Sequence, residues 1–284
     1  MLSLKIGPLA IPTQLAILYL GLLCAWLTGW WLGRKRKANP EPVLFNLLLI
    51  GLIVARIAFV IHYADSYSDQ WLGMLDIRDG GFLPLPGVLA ALLAAAWFLW
   101  RKADLRIPLA SGLATGVLVS GLGFAVFNAM LSSQQLPDLV LRSLEGDPVA
   151  LHDLRGKPLV INLWATWCPP CRREMPALQA AQQANPEVTF VFANQGEGQG
   201  QIESFLQHQN LSLDNLLLDS GARLGQGVSS LSLPTTLFYD ADGVLQNTHL
   251  GELSTASLRH AMRAIMPGDT QLSTAQPTVK KDTP

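Results

Sequence analysis

The sequence predicts a two-domain protein, in which an α-helical transmembrane domain of four spans is followed by an α/β domain. Hydrophobic residues make up 50% of the 284 residues and charged residues only 14%, which is more apolar than an ordinary soluble protein. Nearly all of this excess lies before Met130, and the rest of the chain alternates short apolar strands with helical stretches. The predicted boundaries are residues 1–131 for the membrane domain, 132–267 for the α/β domain and 268–284 for a disordered polar tail.

Four apolar stretches approach or exceed the length of about 20 residues that a helix needs to cross a bilayer. They comprise residues 9–33, 43–63, 82–100 and 107–130. The first stretch is too long, and too closely followed by the second, to be a cleaved signal peptide. We therefore expect it to be retained as a membrane helix.

Lys and Arg are distributed unequally between the loops of this domain. Four basic residues occupy positions 34–37 and three lie within 101–106, whereas the opposite side carries only Lys5 and Arg78. Because cytoplasmic loops are enriched in Lys and Arg, the first two segments are predicted to be cytoplasmic. The α/β domain is then extracytoplasmic, which in a bacterium means a multi-pass inner-membrane protein with this domain in the periplasm.

A few residues within the spans suggest packing or function. Gly112, Gly116 and Ser120 recur every four residues, a pattern that lets membrane helices approach closely, and we expect them to pack within the molecule. Arg56 is a strong cation inside a span, so it is either functional or extends its charged end to the membrane surface. Cys24 is predicted to be a small buried hydrophobe.

From residue 54 onward the chain contains ARIAFVIHYADSY, RDGG and PGV, and this part resembles the middle of bacterial prolipoprotein diacylglyceryl transferases. The resemblance covers spans two to four, and Arg56 matches an arginine of that family. The histidine that the family requires falls at Leu85, and its arginine and asparagine fall near Gly121 and Phe124. The resemblance therefore implies a membrane scaffold that lacks the groups for lipid transfer.

The second half of the chain shows the periodicity of an α/β domain. An apolar, β-branched run at 158–163 is typical of a buried central strand. Residues 164–171 follow it, and helix-compatible residues continue from there to about residue 184. Turn residues at 145–148 and 240–243 indicate two hairpins. The predicted strands are 139–144, 149–151, 158–163, 188–193, 237–239 and 244–250, and the later helices are 202–209 and 255–265.

The segment WATWCPPCRREMP lies between the predicted central strand and its helix. With the order strand, Cys-x-x-Cys, helix, strand, helix, strand, it resembles the thioredoxin-fold proteins, in particular the membrane-tethered reductases of the TlpA and ResA type. The resemblance covers nearly all of residues 136–266 and implies a thioredoxin-like domain. A Cys-x-x-Cys pair is also half of a zinc site, but no second pair of ligands completes one here, so no metal is expected.

The chain has three cysteines, Cys24, Cys168 and Cys171, too few for a disulfide scaffold. Disulfide exchange requires a thiolate, and the start of a helix favours a negatively charged sulfur. Cys168 is therefore predicted to attack the substrate, and Cys171, one turn later, to resolve the mixed disulfide. The redox-active group is the Cys168–Cys171 disulfide itself, and no other cofactor is expected.

Several neighbours of the cysteines are expected to shape the site. Trp164 should fill the core behind it, and Arg172 and Arg173 add positive charge or are solvated surface cations. The thioredoxin resemblance implies a cis-proline loop at Leu233-Pro234-Thr235-Thr236, lying against the disulfide and presenting its backbone to an extended substrate. The residues expected to contact substrate are Trp167, Pro169, Pro170, Leu233 and Pro234.

Thioredoxin has a buried Asp on the strand before the motif, where this chain has Asn162. Another acid, or water, must then help to deprotonate the resolving thiol. Glu174 and Glu197 are both candidates, and the sequence does not rank them.

The predicted function is that of a reductase acting on the disulfides of substrate proteins, re-reduced by a separate membrane thiol or electron donor. A thiol oxidase or isomerase is the alternative within the class, and a copper chaperone using His249 or His260 is the alternative outside it. The formal net charge of −1 provides no basic surface for nucleic acid.

Overall fold

The structure is a computed structural model that describes residues 3–6, 9–67, 71–230 and 232–266 of the chain. It divides the chain into two compact units. The helical unit holds residues 4–75 and 81–129, and the α/β unit holds residues 1–3, 76–80 and 130–284. The tail predicted at 268–284 lies outside the described residues.

The described chain begins with β1 (Ser3–Ile6) and β2 (Leu9–Pro12), which form a two-stranded sheet. The first span was predicted to begin at residue 9, and this boundary was wrong, because residues 9–12 form a strand. α1 (Thr13–Arg36) begins only after Pro12, whose backbone is extended. This boundary follows from proline chemistry, because a proline disfavours helical backbone in the residue before it.

Four helices of the helical unit are long and apolar enough to cross a membrane, as judged by length and composition. They are α1, α2 (Glu41–His62), α3 (Pro84–Arg101) and α4 (Arg106–Leu131). These helices confirm the four predicted spans. Their outer faces carry many exposed large hydrophobic side chains, such as Trp31, Ile61 and Leu93, as expected of helices that face lipid.

Small residues bring α1 and α4 together. A Cβ atom added to Gly112 would lie 2.8 Å from the carbonyl oxygen of Ala25, and one added to Gly21 would lie 1.9 Å from Ser120 Oγ. Only glycine permits these approaches, which confirms that Gly112, Gly116 and Ser120 pack within the molecule. Cys24 is half-buried and lies beside this row of α1, not in it.

Arg56 on α2 is 8% exposed and holds the segment that leads to α3. Its Nη1 donates to the carbonyl oxygen of Gly81 at 2.8 Å, and Nε and Nη2 donate to those of Met74 and Gly73 at 3.2 Å each. A guanidinium group has five donors and no acceptor, so clustered carbonyl oxygens suit it. The charged end of Arg56 is therefore bound by backbone of the segment between α2 and α3.

The α/β unit is built on one seven-stranded sheet in the order β4-β3-β7-β6-β5-β8-β9. Its strands are β3 (Val140–Ser143), β4 (Pro148–Ala150), β5 (Leu159–Trp164), β6 (Thr189–Gln195), β7 (Leu216–Asp219), β8 (Thr235–Tyr239) and β9 (Leu245–Leu250). The pairs β3–β4 and β8–β9 confirm the two predicted hairpins. Only β7 among these strands had no counterpart in the sequence prediction.

β5 is the central strand of this unit, and all six of its residues are buried, as its apolar run predicts. It pairs in parallel with β6 and antiparallel with β8. The helices of the unit are α5 (Pro169–Ala184), α6 (Gln199–Gln209), α7 (Arg223–Gly227) and α8 (Thr255–Met262). An apolar core that includes both cysteines of the pair joins the sheet to α5, α6 and α8.

Candidate active site

The cysteine pair lies where β5 gives way to α5. Cys168 is the N-cap of α5, with extended backbone, and Pro169 and Pro170 occupy the first helical positions. These positions suit proline, whose fixed φ is helical and whose missing N–H would have no partner inside the helix. Local sequence therefore places Cys168 at the helix end where backbone N–H groups are free to face a negative sulfur.

Cys168 and Cys171 form a disulfide with an S–S distance of 2.06 Å. Cys168 Sγ also accepts a hydrogen bond from the backbone N–H of Cys171 at 3.3 Å. Cys168 is 3% exposed and Cys171 is fully buried. An incoming thiol or disulfide therefore reaches Cys168 before Cys171.

The two tryptophans of the motif differ sharply in exposure. Trp164 is fully buried and packs its ring 5.4 Å from that of Phe205, whereas Trp167 is 67% exposed. The structure thus places Trp164 in the core and Trp167 on the surface next to Cys168, where the sequence predicted them.

A cis peptide bond joins Leu233 to Pro234. The loop that contains it leads into β8, whose first residue, Thr235, pairs with Leu163 near the end of β5. Because β5 and β8 are antiparallel, the end of β5 lies beside the start of β8. The loop that carries Cys168 and the cis-proline loop therefore meet at the same end of these two strands. Leu233 packs against the apolar cluster that includes both cysteines.

The two candidate acids have different surroundings. Glu197 accepts hydrogen bonds from Asn194 Nδ2 at 2.7 Å, from the backbone N–H of Thr166 at 2.7 Å and from the Thr166 hydroxyl. It therefore fixes the loop before Trp167 to the end of β6. This contact has no signature in the sequence, because Thr166 and Glu197 are 31 positions apart.

Glu174 lies on α5, three positions after Cys171, so both side chains share the inner face of the helix. Glu174 is 1% exposed. Its Oε1 accepts a hydrogen bond from Asn162 Nδ2 at 2.8 Å, and its Oε2 accepts one from the backbone N–H of Leu253 at 2.9 Å. Of the two candidates, Glu174 is the one placed beside the resolving cysteine and Asn162.

Burial raises the pKa of Glu174 to about 8, although the hydrogen bonds from Leu253 and Asn162 act in the opposite direction. A carboxyl group whose pKa lies near neutral pH can both accept and return a proton under physiological conditions. Perturbed carboxyl groups of this kind are typical of catalytic sites.

The raised pKa of Glu174 makes the stability of the protein depend on pH. An unfolded glutamate loses its proton near pH 4.5, whereas the folded chain retains it up to about pH 8. Stability should therefore fall between these pH values, by roughly 4 kcal/mol from this group alone. Glu174→Gln cannot lose a proton, so its stability relative to the wild type should rise from pH 4.5 to pH 8. Thermal unfolding of both proteins in detergent across this range measures the difference, and parallel curves would contradict it.

The two arginines after the pair have partners in the structure. Arg173 forms an ion pair with Glu252, with Nη2 and Oε2 2.5 Å apart, and this contact raises the pKa of Arg173. Arg172 lies over the ring of Phe205, 5.8 Å from its centre. Both arginines therefore remain on the surface near the site, and Glu252 is a further charged neighbour that the sequence pattern did not indicate.

His249 is partly buried, and desolvation lowers its pKa. Its Nε2 lies 3.3 Å from the carbonyl oxygen of Glu252. No three His, Cys, Asp or Glu side chains come together to hold a metal ion within the described parts of the chain. The copper-chaperone alternative requires His249 or His260 to bind a metal ion together with other ligands. Among the described residues, neither histidine belongs to such a cluster.

Comparison with known proteins gives matches for both halves. Residues 133–248 match the AhpC/TSA family, and residues 2–127 match the prolipoprotein diacylglyceryl transferase family. The second match extends beyond the predicted spans two to four and includes α1.

Individual relatives match the α/β half. The thioredoxin-like protein YneN of Bacillus subtilis is 32% identical over 133 residues, which cover 45% of this chain and 77% of YneN. The thiol-disulfide oxidoreductase ResA of the same organism is 28% identical over 163 residues, covering 54% of this chain and 90% of ResA. The crystal structure of a secreted Mycobacterium tuberculosis disulfide oxidoreductase homologous to E. coli DsbE is 30% identical, covering 45% of this chain and 96% of that one, with a TM-score of 0.41.

Proposed function

Because this chain belongs to the thioredoxin-like thiol-disulfide oxidoreductases related to YneN and ResA, we propose that it is a membrane-anchored reductase of protein disulfides in the bacterial periplasm. The observation that carries this proposal is the Cys168–Cys171 disulfide at the start of α5. The exposed Trp167 and the cis-proline loop border the pair, and we propose that Trp167, Pro169, Pro170, Leu233 and Pro234 contact the substrate.

The reaction starts from the reduced pair. The Cys168 thiolate attacks one sulfur of a substrate disulfide, and the other substrate sulfur leaves as a thiolate. Glu174 then accepts the proton of the Cys171 thiol, and the Cys171 thiolate attacks Cys168 Sγ. The second substrate sulfur leaves as a thiolate, and the Cys168–Cys171 disulfide forms. Two electrons pass to the substrate in each cycle.

The oxidised pair must receive two electrons before another cycle. Thiol exchange across a membrane needs two cysteines that form and break a disulfide, and outside the pair this chain has only Cys24. We therefore propose that a separate membrane thiol donor reduces the pair. The helical unit lacks the transferase histidine at Leu85, so its proposed role is to anchor the α/β unit near membrane-bound donors and substrates.

The reducing direction is tested by the redox state of the pair in growing cells. After acid quenching and alkylation, Cys168 and Cys171 should be found mainly as thiols, and removal of the membrane donor should convert them to the disulfide. Cys24→Ala is the matched control and should leave them as thiols.

The reduction potential of the purified protein provides an independent measurement. It should lie nearer to about −270 mV, as in thioredoxin, than to about −120 mV, as in the oxidant DsbA. A pair that is mainly a disulfide while the donor is present would indicate a thiol oxidase. Oxidation in Cys24→Ala cells would show that electrons pass through the helical unit.

A further inference from the structure

Asn162 is a polar side chain in an apolar row. Side chains two positions apart on a strand point to the same face of a sheet, so Val160, Asn162 and Trp164 of β5 face the same way. Val160 and Trp164 belong to the apolar core that contains Cys168 and Cys171, and Asn162 is 1% exposed. A buried amide is costly unless it is hydrogen-bonded, so the contacts of Asn162 are informative.

The Asn162 amide directs its hydrogen bonds toward the site. Nδ2 donates to Glu174 Oε1 at 2.8 Å and to Thr236 Oγ1 at 3.0 Å. The buried Oδ1 has no hydrogen-bond partner among the described residues. Both Nδ2 protons are therefore engaged in hydrogen bonds, whereas the Oδ1 acceptor is not. This arrangement favours a role for the Asn162 amide in holding Glu174 and Thr236.

Glu174 is held by two donors. Asn162 Nδ2 donates to Oε1, and the backbone N–H of Leu253 donates to Oε2. Hydrogen bonds donated to a carboxylate favour its ionised form, whereas burial favours the protonated form. Asn162 donates from its side chain, whereas Leu253 donates from its backbone. A substitution can therefore remove the hydrogen bond from Asn162 but not the one from Leu253.

We propose that Asn162 is a positioning residue that acts through Glu174. Its amide fixes the carboxyl group beside Cys171 and favours loss of the proton, so that Glu174 can accept the proton of the Cys171 thiol. The proton then moves from Cys171 Sγ to Glu174, and the new thiolate attacks Cys168 Sγ as the substrate sulfur leaves. This inference rests on the proposed function and assigns the residue that prepares the base.

The test is the pH dependence of disulfide reduction by the full chain in detergent, with insulin as the substrate. Asn162→Leu keeps a similar volume and removes the hydrogen bond. Loss of one hydrogen bond to a charged group should raise the midpoint of the rate profile by about one pH unit, so that the rate at pH 7 falls about tenfold. Asn185→Leu is the matched control, since Asn185 is also a buried asparagine but lies at the far end of α5. Its profile should not shift.

A double variant distinguishes a positioning role of Asn162 from simple destabilisation of the protein. In Glu174→Gln protein, Asn162→Leu should cause no further shift of the midpoint, because the group through which it acts is gone. If Asn162→Leu does not fold, Asn162→Asp serves instead. Its carboxyl group has nearly the shape of the amide, and a second carboxyl group beside Glu174 should also raise the midpoint.

Three results would overturn the inference: an unshifted midpoint in folded Asn162 variants, an equal shift in the Glu174→Gln background, or a Glu174→Gln profile identical to that of the wild type. Failure of the proposed function is distinguishable from these, because the wild-type protein would then not reduce insulin at any pH.

Discussion

Replacing Cys168 with serine should lower disulfide reduction by about a thousandfold or more, the order of loss seen when an enzyme loses its nucleophile. The reason is positional, since Cys168 is the N-cap of α5 and lies next to the exposed Trp167. Cys171→Ser should be inactive in turnover for a different reason. It should still attack substrates through Cys168, and the mixed disulfides should accumulate because no thiol resolves them.

Insulin reduction measures the first effect, and non-reducing electrophoresis of protein from cells measures the second. Cys24→Ser is the control and should retain full activity, because Cys24 lies in the helical unit. The Cys171→Ser protein also offers a way to isolate physiological substrates. If alkylation of the reduced protein at mildly acidic pH labels Cys171 before Cys168, the two roles are reversed.

A reporter that is active only in the cytoplasm should be silent when it is fused after Met266. The expectation comes from the basic residues at 34–37 and 101–106, which face the cytoplasm in the predicted topology. The four helices α1 to α4 then return the chain to the side from which it started. The same reporter fused after Lys102 should be strongly active and is the matched control.

Strong activity after Met266 would overturn the periplasmic location. It would also undermine the proposed reducing cycle, because the cytoplasm keeps most thiols reduced without a dedicated membrane donor. The fusion measurement thus tests the compartment separately from the chemistry of the cysteines.

The parts of the site that depend on contiguous residues could be predicted from the sequence. An apolar, β-branched run predicts β5, two prolines mark the first turn of α5, and Cys168 falls at its N-cap. Each of these features is determined by neighbours in the chain, because turn and cap chemistry act over a few residues. The four spans were predictable for a similar reason, since a long apolar run is itself the signal.

β7 was not predicted, because it is a four-residue strand without a β-branched residue. Its extended conformation is stabilised by pairing with β6 and β3 on either side, and those partners are distant in the chain. β-strand preference depends strongly on such neighbours, so a short run of this composition carries little signal by itself.

The sequence alone determined the chemistry of this protein: a Cys-x-x-Cys pair at a strand-to-helix junction in an α/β domain that follows four apolar spans. It also showed that Asn162 stands where thioredoxin has an acid, and it offered Glu174, Glu197 or water as unranked candidates for the group that deprotonates the resolving thiol. Only the tertiary structure shows how the surroundings of the two acids differ. Glu174 contacts Leu253, which is 79 positions away in the chain, and both are buried with Asn162 beside the resolving cysteine. The pKa of a carboxyl group is set by desolvation and by neighbours in space, and neither can be read from the order of residues along the chain.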